Sequence, residues 1–354
     1  MSSATAAIRY PHETPPESGT AIQVAPGVLW MRLPLPMALD HVNVYALDDG
    51  DSWTIIDTGL NSRRTKEAWN QLFAGPLAGK PVARVVITHH HPDHVGLAGW
   101  FVSRGARLLT TRTAFLLTRM LQLDEQPGYT AEALGFYRAN GMDAAVLAQR
   151  ETERPFNFAD CVAPLPLGYD RLQEGDTIRM GGRTWDIRMG DGHAPEHATF
   201  WSREDHLVIG GDQLLPSISP NIGVYPTEPN ADPLAEWIDS CQRLAPFARD
   251  DQLVLGGHKL PFFGLPTRLR QMEDNHHSAL DRLLDHLSEP RVGGDCFPAL
   301  FKRTIGPAEY GLAFVETVAH LNHLLALGQV SRQMGPDGAW IWKTSQSRLA
   351  SATG

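Results

Sequence analysis

The sequence predicts an α/β fold of layered sheets and helices, because short apolar runs alternate with amphipathic helical stretches along most of the chain. The chain has 354 residues, 42% of them hydrophobic and 20% charged, which is enough for one large domain and a smaller one. Strand and helix signals are mixed up to residue 289, and mostly helical signals follow. We therefore expect a main domain over residues 21–289 and a small C-terminal helical module over 290–345.

The net charge of −9 argues against nucleic acid or an anionic membrane as a general partner. The three cysteines, Cys161, Cys241 and Cys296, are widely spaced and form no CxxC pair, which is typical of a reducing compartment. No signal-peptide pattern is visible, and no apolar run reaches the ~20 residues that a membrane span needs. These observations predict a cytoplasmic protein that acts on a small molecule, with a homodimer left open.

Alternating apolar residues and turn signals predict the strands of the first half, and a stretch of helical period predicts a helix over residues 63–72. A hairpin turn is expected at Asp48-Asp49-Gly50-Asp51. A second helix is predicted over 95–103, after a histidine-rich segment. The predicted strands of this half are 27–33, 42–47, 53–57, 83–88 and 107–110.

Residues 113–154 have a helical pattern and are too many for a simple connection between strands, so we expect an inserted helical cap. A helix is predicted over 268–288, where Glu289-Pro290 ends it, and a hairpin over 328–343 around Pro336-Asp337-Gly338. The strands predicted between these helical regions are 177–180, 183–189, 198–201, 207–209 and 253–255.

The segment from Thr88 to His94 carries the strongest chemical signal of the sequence. Side chains two residues apart at a strand end point the same way, so His89 and His91 are expected to converge while His90 turns aside. Asp93 and His94 would begin the following helix and point to a neighbouring position. Imidazoles with a carboxylate suit zinc, and less exclusively iron or manganese.

This His-x-His-x-Asp-His segment resembles the signature of the metallo-β-lactamase superfamily. Four further motifs occur in the order in which that superfamily has them, and the resemblance covers roughly residues 25–285. These motifs are Asp57-Thr58-Gly59, Gly192 to His197, Gly210-Gly211-Asp212 and Gly256-Gly257-His258.

The resemblance implies a four-layer αββα sandwich with a helical insertion and a winged-helix-like C-terminal module. It also implies a centre of two divalent ions with a bridging hydroxide as the nucleophile, which Asp93 would help to orient. His89, His91 and His193 would hold one ion, Asp93, His94 and His258 the other, and Asp212 would bridge both.

Four other residues are weaker candidates for a role near the metals or the substrate. Asp57 is expected either to orient a ligand histidine or only to stabilise the turn in which it lies. His197 is expected to lie behind the ligands, and His41 to make a structural hydrogen bond beside the site. Tyr225 is expected to line the pocket or to be a surface residue. We interpret the remaining histidines of the C-terminal half as packing or surface residues, namely His276, His277, His320 and His323.

A centre of two metal ions indicates hydrolysis as the reaction class but does not determine which bond is cleaved. A small acyl substrate is favoured, a thioester in the manner of glyoxalase II-like enzymes, although the basic motif with which those enzymes bind glutathione is absent. A lactone, a phosphodiester or RNA substrate and a mono-iron persulfide dioxygenase are the alternatives. The cap offers apolar side chains to an acyl chain, or uses them for its own packing: Phe115, Leu116, Leu117, Met120, Leu121, Phe136 and Tyr137.

Overall fold

The computed structural model describes residues 7–345, and in this range seven strands form the first sheet in the order in which they follow along the chain. The first four strands pair antiparallel, and the later ones pair parallel. The strands are β1 (Ile22–Ala25), β2 (Val28–Pro34), β3 (His41–Asp48), β4 (Trp53–Ile56), β5 (Val82–Val86), β6 (Arg107–Thr111) and β7 (Asp170–Leu172).

A second sheet of five strands has the order β12-β11-β10-β9-β8 and is antiparallel except between β11 and β12. Its strands are β8 (Thr177–Met180), β9 (Arg183–Gly190), β10 (His197–Ser202), β11 (Leu207–Gly211) and β12 (Leu253–Gly256). One apolar cluster joins side chains of both sheets, including Trp30 and Tyr45 from the first and Trp185 and Phe200 from the second. The two sheets therefore pack face to face around this core.

Helices cover the other face of the first sheet. The helix α1 (Arg63–Ala74) begins at Ser62, whose hydroxyl accepts a hydrogen bond from Thr65 N, as expected of an N-cap. The next helices are α2 (Pro92–Val95), which includes the end of the histidine segment, α3 (Ala98–Val102) and α4 (Arg112–Leu123). Trp69 of α1 and Phe101 of α3 meet edge to face at 4.9 Å in the core against the sheet.

The chain divides into two compact units. The first unit contains both sheets and consists of the residues up to Glu125, Phe156–Pro220 and Arg243–Leu269. The second consists of Gln126–Pro155, Asn221–Gln242 and the residues from Arg270 onward.

The second unit is built from helices and a three-stranded sheet of order β13-β15-β14. Two of its helices, α7 and α8, continue a short way into segments of the first unit. Its elements are α5 (Ala131–Ala139), α6 (Ala144–Arg150), α7 (Pro233–Leu244), α8 (Leu265–His286), β13 (Arg291–Val292), α9 (Phe297–Phe301), α10 (Tyr310–Ala326), β14 (Val330–Met334) and β15 (Trp340–Thr344).

The predicted α/β class is confirmed, and most elements lie where the sequence placed them. Two details of the prediction were wrong. The strand before the histidine segment ends at Val86, not at Thr88, and the helix predicted over 95–103 is two short helices. The strands β1, β7 and β13 and the helix α7 were not predicted.

The predicted cap is shared between the units, because α4 belongs to the first and α5 and α6 to the second. The proposed boundary between residues 289 and 290 lies inside the second unit, and as a domain boundary it stays a prediction. Among residues 7–345, none of the helices combines the length and the apolar character that crossing a membrane would require.

Candidate metal centre

The candidate ligands lie at one edge of the two sheets. The histidine segment follows β5, His193 follows β9, Asp212 follows β11 and His258 follows β12. Because β9, β11 and β12 run in the same direction, their carboxyl ends meet at this edge. All of these residues belong to the first unit.

One group of possible metal ligands consists of His89, His91 and His193, which offer donor atoms within 4.8 Å of one another. Nε2 of His89 and Nδ1 of His91 are 3.0 Å apart. Two nitrogen ligands of one tetrahedral ion at about 2.0–2.1 Å would be separated by roughly 3.3 Å. The two ring nitrogens are therefore placed to bind one ion together.

A second group consists of Asp93, His94 and His258, whose donor atoms also lie within 4.8 Å of one another. Oδ2 of Asp93 is 3.5 Å from Nε2 of His94 and 3.4 Å from Nε2 of His258. Oδ2 of Asp212 is 3.2 Å from His258, 3.5 Å from His94 and 3.6 Å from His193. Asp212 thus faces both groups, which is the position of a carboxylate shared by two ions.

The buried atoms of this cluster fit a bound cation. Nε2 of His94 and Oδ1 of Asp212 are buried and have no hydrogen-bond partner among residues 7–345. A buried carboxylate oxygen without a partner is costly, and a metal ion would satisfy it. Gly257 leaves the space that this approach needs, since a Cβ atom there would overlap Oδ1 of Asp212 and lie 2.8 Å from Cε1 of His94. Nitrogen and carboxylate donors together suit a divalent transition metal such as zinc.

Asp57 orients candidate ligands of both groups. Its Oδ2 is 2.8 Å from Nδ1 of His94, which therefore donates to the carboxylate, and Nε2 is the nitrogen that faces Asp93 and Asp212. The Thr88 hydroxyl donates to the same carboxylate, so it accepts from Nδ1 of His89 at 3.0 Å. Asp57 has a φ of 58°, a left-handed conformation uncommon for residues other than glycine, and Thr88 N donates to its Oδ1.

His41 and His197 lie behind the ligands. The backbone carbonyl of His41 accepts from Nδ1 of His258 at 2.8 Å. The Nε2 atom of the His41 ring accepts from Lys259 N at 3.0 Å. His197 Nε2 accepts from the backbone N–H of Asp212 at 3.0 Å, and its ring stacks on His89 with centroids 4.5 Å apart. Both residues thus contact candidate ligands, and the groups of converging donor atoms do not include them.

Tyr225 and His90 stand apart from the converging donors. Tyr225 belongs to the second unit and is 46% exposed. His90 is absent from the groups of converging donors, and its ring is parallel to that of Phe158 with centroids 6.4 Å apart. The sequence argument for His90 relied on strand alternation, yet β5 ends before the segment. The turn that leads into α2, with His91 as an extended N-cap, places His89 and His91 together.

The pKa values of the imidazoles in this cluster shift in two directions. Burial and then the neighbouring imidazoles lower the pKa values of His89 and His91 far below the usual range, so both offer lone pairs. Burial opposes the ionisation of Asp93, but His94 and His258 outweigh it and hold the pKa of this carboxyl low. Burial disfavours charge on His94 as well, yet Asp212, Asp93 and Asp57 raise its pKa above the usual value. The carboxylates therefore draw positive charge to the centre.

Sequence reasoning missed two contributors, Thr88 and Gly257. Thr88 links Asp57 to His89, and the signal was its place directly before the first histidine. Gly257 makes room for Asp212 and His94, and the signal was the pair of glycines before His258.

The chain is similar to known proteins in sequence and in fold. Residues 37–107 match the family described as the metallo-beta-lactamase superfamily, and residues 280–345 match the metallo-beta-lactamase-like C-terminal domain. The crystal structure of a beta-lactamase domain protein from Burkholderia ambifaria is 35% identical, with a TM-score of 0.87. The match covers 96% of this chain and 98% of that one.

Two curated proteins are similar over most of their length. A probable metallo-hydrolase of Bacillus subtilis, YqjP, is 28% identical over 84% of this chain and 92% of its own. The acyl-coenzyme A thioesterase MBLAC2 of Gallus gallus is 24% identical over 71% of this chain and 84% of its own. The chain belongs to the metallo-β-lactamase superfamily, as the motifs predicted, and it is a hydrolase of that fold.

Proposed function

We propose that this hydrolase binds two divalent metal ions, zinc by preference, and cleaves a small acyl substrate, a thioester in the first place. The observation that carries the proposal is that two groups of candidate ligands both face the carboxylate of Asp212. His89, His91 and His193 would hold one ion, Asp93, His94 and His258 the other, and Asp212 would bind both.

Bound metal ions would supply a Lewis acid for the carbonyl oxygen and lower the pKa of water to near 7. The protein's own residues hold this centre in shape. Asp57 and the His41 carbonyl accept from Nδ1 of His94 and of His258, so that Nε2 of each ring faces the centre and could bind an ion. Asp93, 20% exposed, is the carboxylate at the open side of the centre and is placed to orient a water molecule or accept its proton.

Two observations favour a thioester with an apolar acyl group. The similarity to the Gallus gallus acyl-coenzyme A thioesterase is the first. The second is a pair of aromatic side chains beside the histidine segment. Phe158 stacks on His90, and the ring centroid of Phe156, which is 66% exposed, lies 6.0 Å from that of Phe158. Of the cap residues that the sequence offered as contacts for an acyl chain, Phe115, Phe136 and Tyr137 are buried and pack inside the protein.

The test is a substrate panel on the metal-loaded protein and on the Asp212→Ala variant. The panel contains acyl-coenzyme A thioesters of increasing chain length, a lactone and bis-p-nitrophenyl phosphate. We expect thioester turnover that depends on Asp212, and we expect Phe156→Ala to raise KM for long acyl chains more than for acetyl-coenzyme A. Faster turnover of the lactone or the phosphodiester would overturn the thioester proposal. A single bound iron with oxygen consumption on a persulfide would instead indicate a dioxygenase.

A further inference from the structure

Helix α4 of the first unit presents an apolar stripe to solvent. At 100° per residue, the stripe lies opposite the buried side of the helix, which consists of Ala114, Phe115 and Thr118. Its residues are spaced by four and three along one face: Leu116 (55% exposed), Met120 (45%) and Leu123 (71%). Single exposed apolar residues are ordinary, but a stripe of them on an outward helix face indicates an interaction surface.

Polar contacts on the neighbouring face fix the rotation of α4, so the stripe cannot turn inward. The Gln122 amide donates to the Val162 carbonyl at 2.9 Å and accepts from Leu165 N at 3.3 Å. Arg119 donates to the Pro166 carbonyl at 3.2 Å. The next residue, Leu167, is 87% exposed and adds a further apolar side chain on the segment to which α4 is bound.

The charges at the ends of α4 complement those of a second α4 that runs in the opposite direction. Arg112 begins the helix, and Asp124 with Glu125 follows its C-terminal end. A two-fold axis near residue 118 would bring Arg112 of each copy opposite Asp124 of the other and Leu116 opposite Met120. The two helix dipoles would also be antiparallel, which is a favourable arrangement.

We propose that a second copy of this chain covers the stripe, so that two α4 helices pack antiparallel in a two-fold dimer. A helix of 12 residues is only about 18 Å long. The pair therefore buries less surface than a standard stable interface, and the dimer dissociates in the micromolar range. The apolar residues supply the attraction, and the end charges set the direction.

The test is sedimentation equilibrium of the full chain between about 1 and 200 µM. We expect a monomer–dimer equilibrium that Leu116→Glu or Met120→Glu weakens by about tenfold or more. Met334→Glu on β14 is the matched control, because Met334 is an equally exposed apolar residue of the second unit, and this change leaves the equilibrium unaltered. Circular dichroism checks that each variant is folded.

A charge reversal tests the direction of the helices. Arg112→Glu and Asp124→Lys should each weaken the dimer, and the two changes combined should restore it. A chain that stays monomeric over the whole range, or a dimer that none of the α4 variants weakens, overturns the proposal. A monomer that binds phosphatidylcholine–phosphatidylserine vesicles through the stripe also overturns it, and a combined charge reversal that restores nothing overturns the antiparallel arrangement.

Discussion

Two clusters of histidines are buried among residues 7–345, one in each unit, and they differ in what their ring nitrogens contact. In the first unit, imidazoles surround the carboxylates of Asp93 and Asp212. In the second unit, imidazoles contact each other and the surrounding helices. Nδ1 of His276 is 3.2 Å from Nε2 of His320, whose Nδ1 donates to the Glu316 carbonyl at 2.8 Å.

The two clusters differ in the direction in which the ring nitrogens point. Around the metal centre, an outer partner fixes Nδ1 of His89, His94 and His258, so that each Nε2 is turned inward. In the second unit, the lone pair of His320 Nε2 is used by His276, and Nδ1 of His323 pairs with Asp232 at 3.0 Å. Burial alone therefore does not make a metal site. Converging lone pairs and an anion to share are also needed, and we predict that only the first cluster binds metal.

The largest effect is expected from Asp212→Ala. Because Asp212 faces both ligand groups, its loss should remove bound metal and lower kcat/KM on the order of 10³-fold, the size expected for a main electrostatic contributor. Metal analysis and steady-state kinetics measure the two effects. His90→Ala is the matched control within the cluster and should keep the metal content of the unaltered protein. If His90→Ala loses metal and His91→Ala does not, the ligand assignment is wrong.

Asp57→Asn should have a smaller effect and should lower the affinity for both ions. The amide cannot accept strongly from His94 Nδ1 and from Thr88 together, so the orientation of His94 and His89 is weakened. We expect metal affinity to fall by about 10- to 100-fold, as for other outer partners of metal ligands. Competition with a chromophoric chelator measures this affinity. Unchanged binding of both ions would show that Asp57 serves only the turn.

Acid should destabilise the second unit through its own histidines. Burial lowers the pKa of His276 to about 3 and that of His320 to about 4, with the neighbouring imidazoles His277 and His323 and the Arg282 guanidinium opposing charge further. The unfolded chain binds these protons near pH 6.5, so the stability is complete above that pH and falls as the pH drops toward 4. At pH 5 the loss is about 2 kcal/mol per histidine.

Denaturant unfolding at pH 7 and pH 5 measures this loss. His276→Gln should reduce the pH dependence, whereas His277→Gln, at an exposed position of the same helix, should not. Equal pH dependence in His276→Gln and the unaltered chain would exclude His276 as a source of it.

The smallest effect is expected from Asp40→Asn. Asp40 contacts Nδ1 of His41 at 2.7 Å, but its side chain is 83% exposed, and the His41 carbonyl binds His258 independently of that contact. Metal affinity should change by less than about threefold, because an exposed ion pair contributes little. The same chelator competition applies, and a loss as large as that of Asp57→Asn would mean that the Asp40–His41 contact helps to hold His258 in place.

Much of the fold and of the candidate site could be predicted because the candidate ligands lie in short motifs that follow strands. Such strands are apolar enough to be recognised, as with Leu207–Gly211 before Asp212, which is buried throughout. The β7 strand was missed because three residues are too few to show a period. The α7 helix did carry a signal, Asp232-Pro233 followed by Leu234 and Trp237, which are both fully buried.

Other features depend on contacts between distant segments and leave no local pattern. The Asp57 side chain reaches His94 and Thr88 only because β4 and β5 pair in parallel. The predicted cap looked like one insertion, yet its helices pack in different units. Tyr225 was considered as a pocket residue from its position after Asp212, and sequence distance gave no information about the unit to which it belongs.

The most direct test of the central claim is the metal content of the chain after reconstitution with zinc, manganese or iron. We predict about two ions per chain, held at one centre of the first unit. The variant His276→Gln should keep both ions, and Asp212→Ala should lose them. One ion per chain under replete conditions, or full metal content in Asp212→Ala, would contradict a centre of two ions that share this carboxylate.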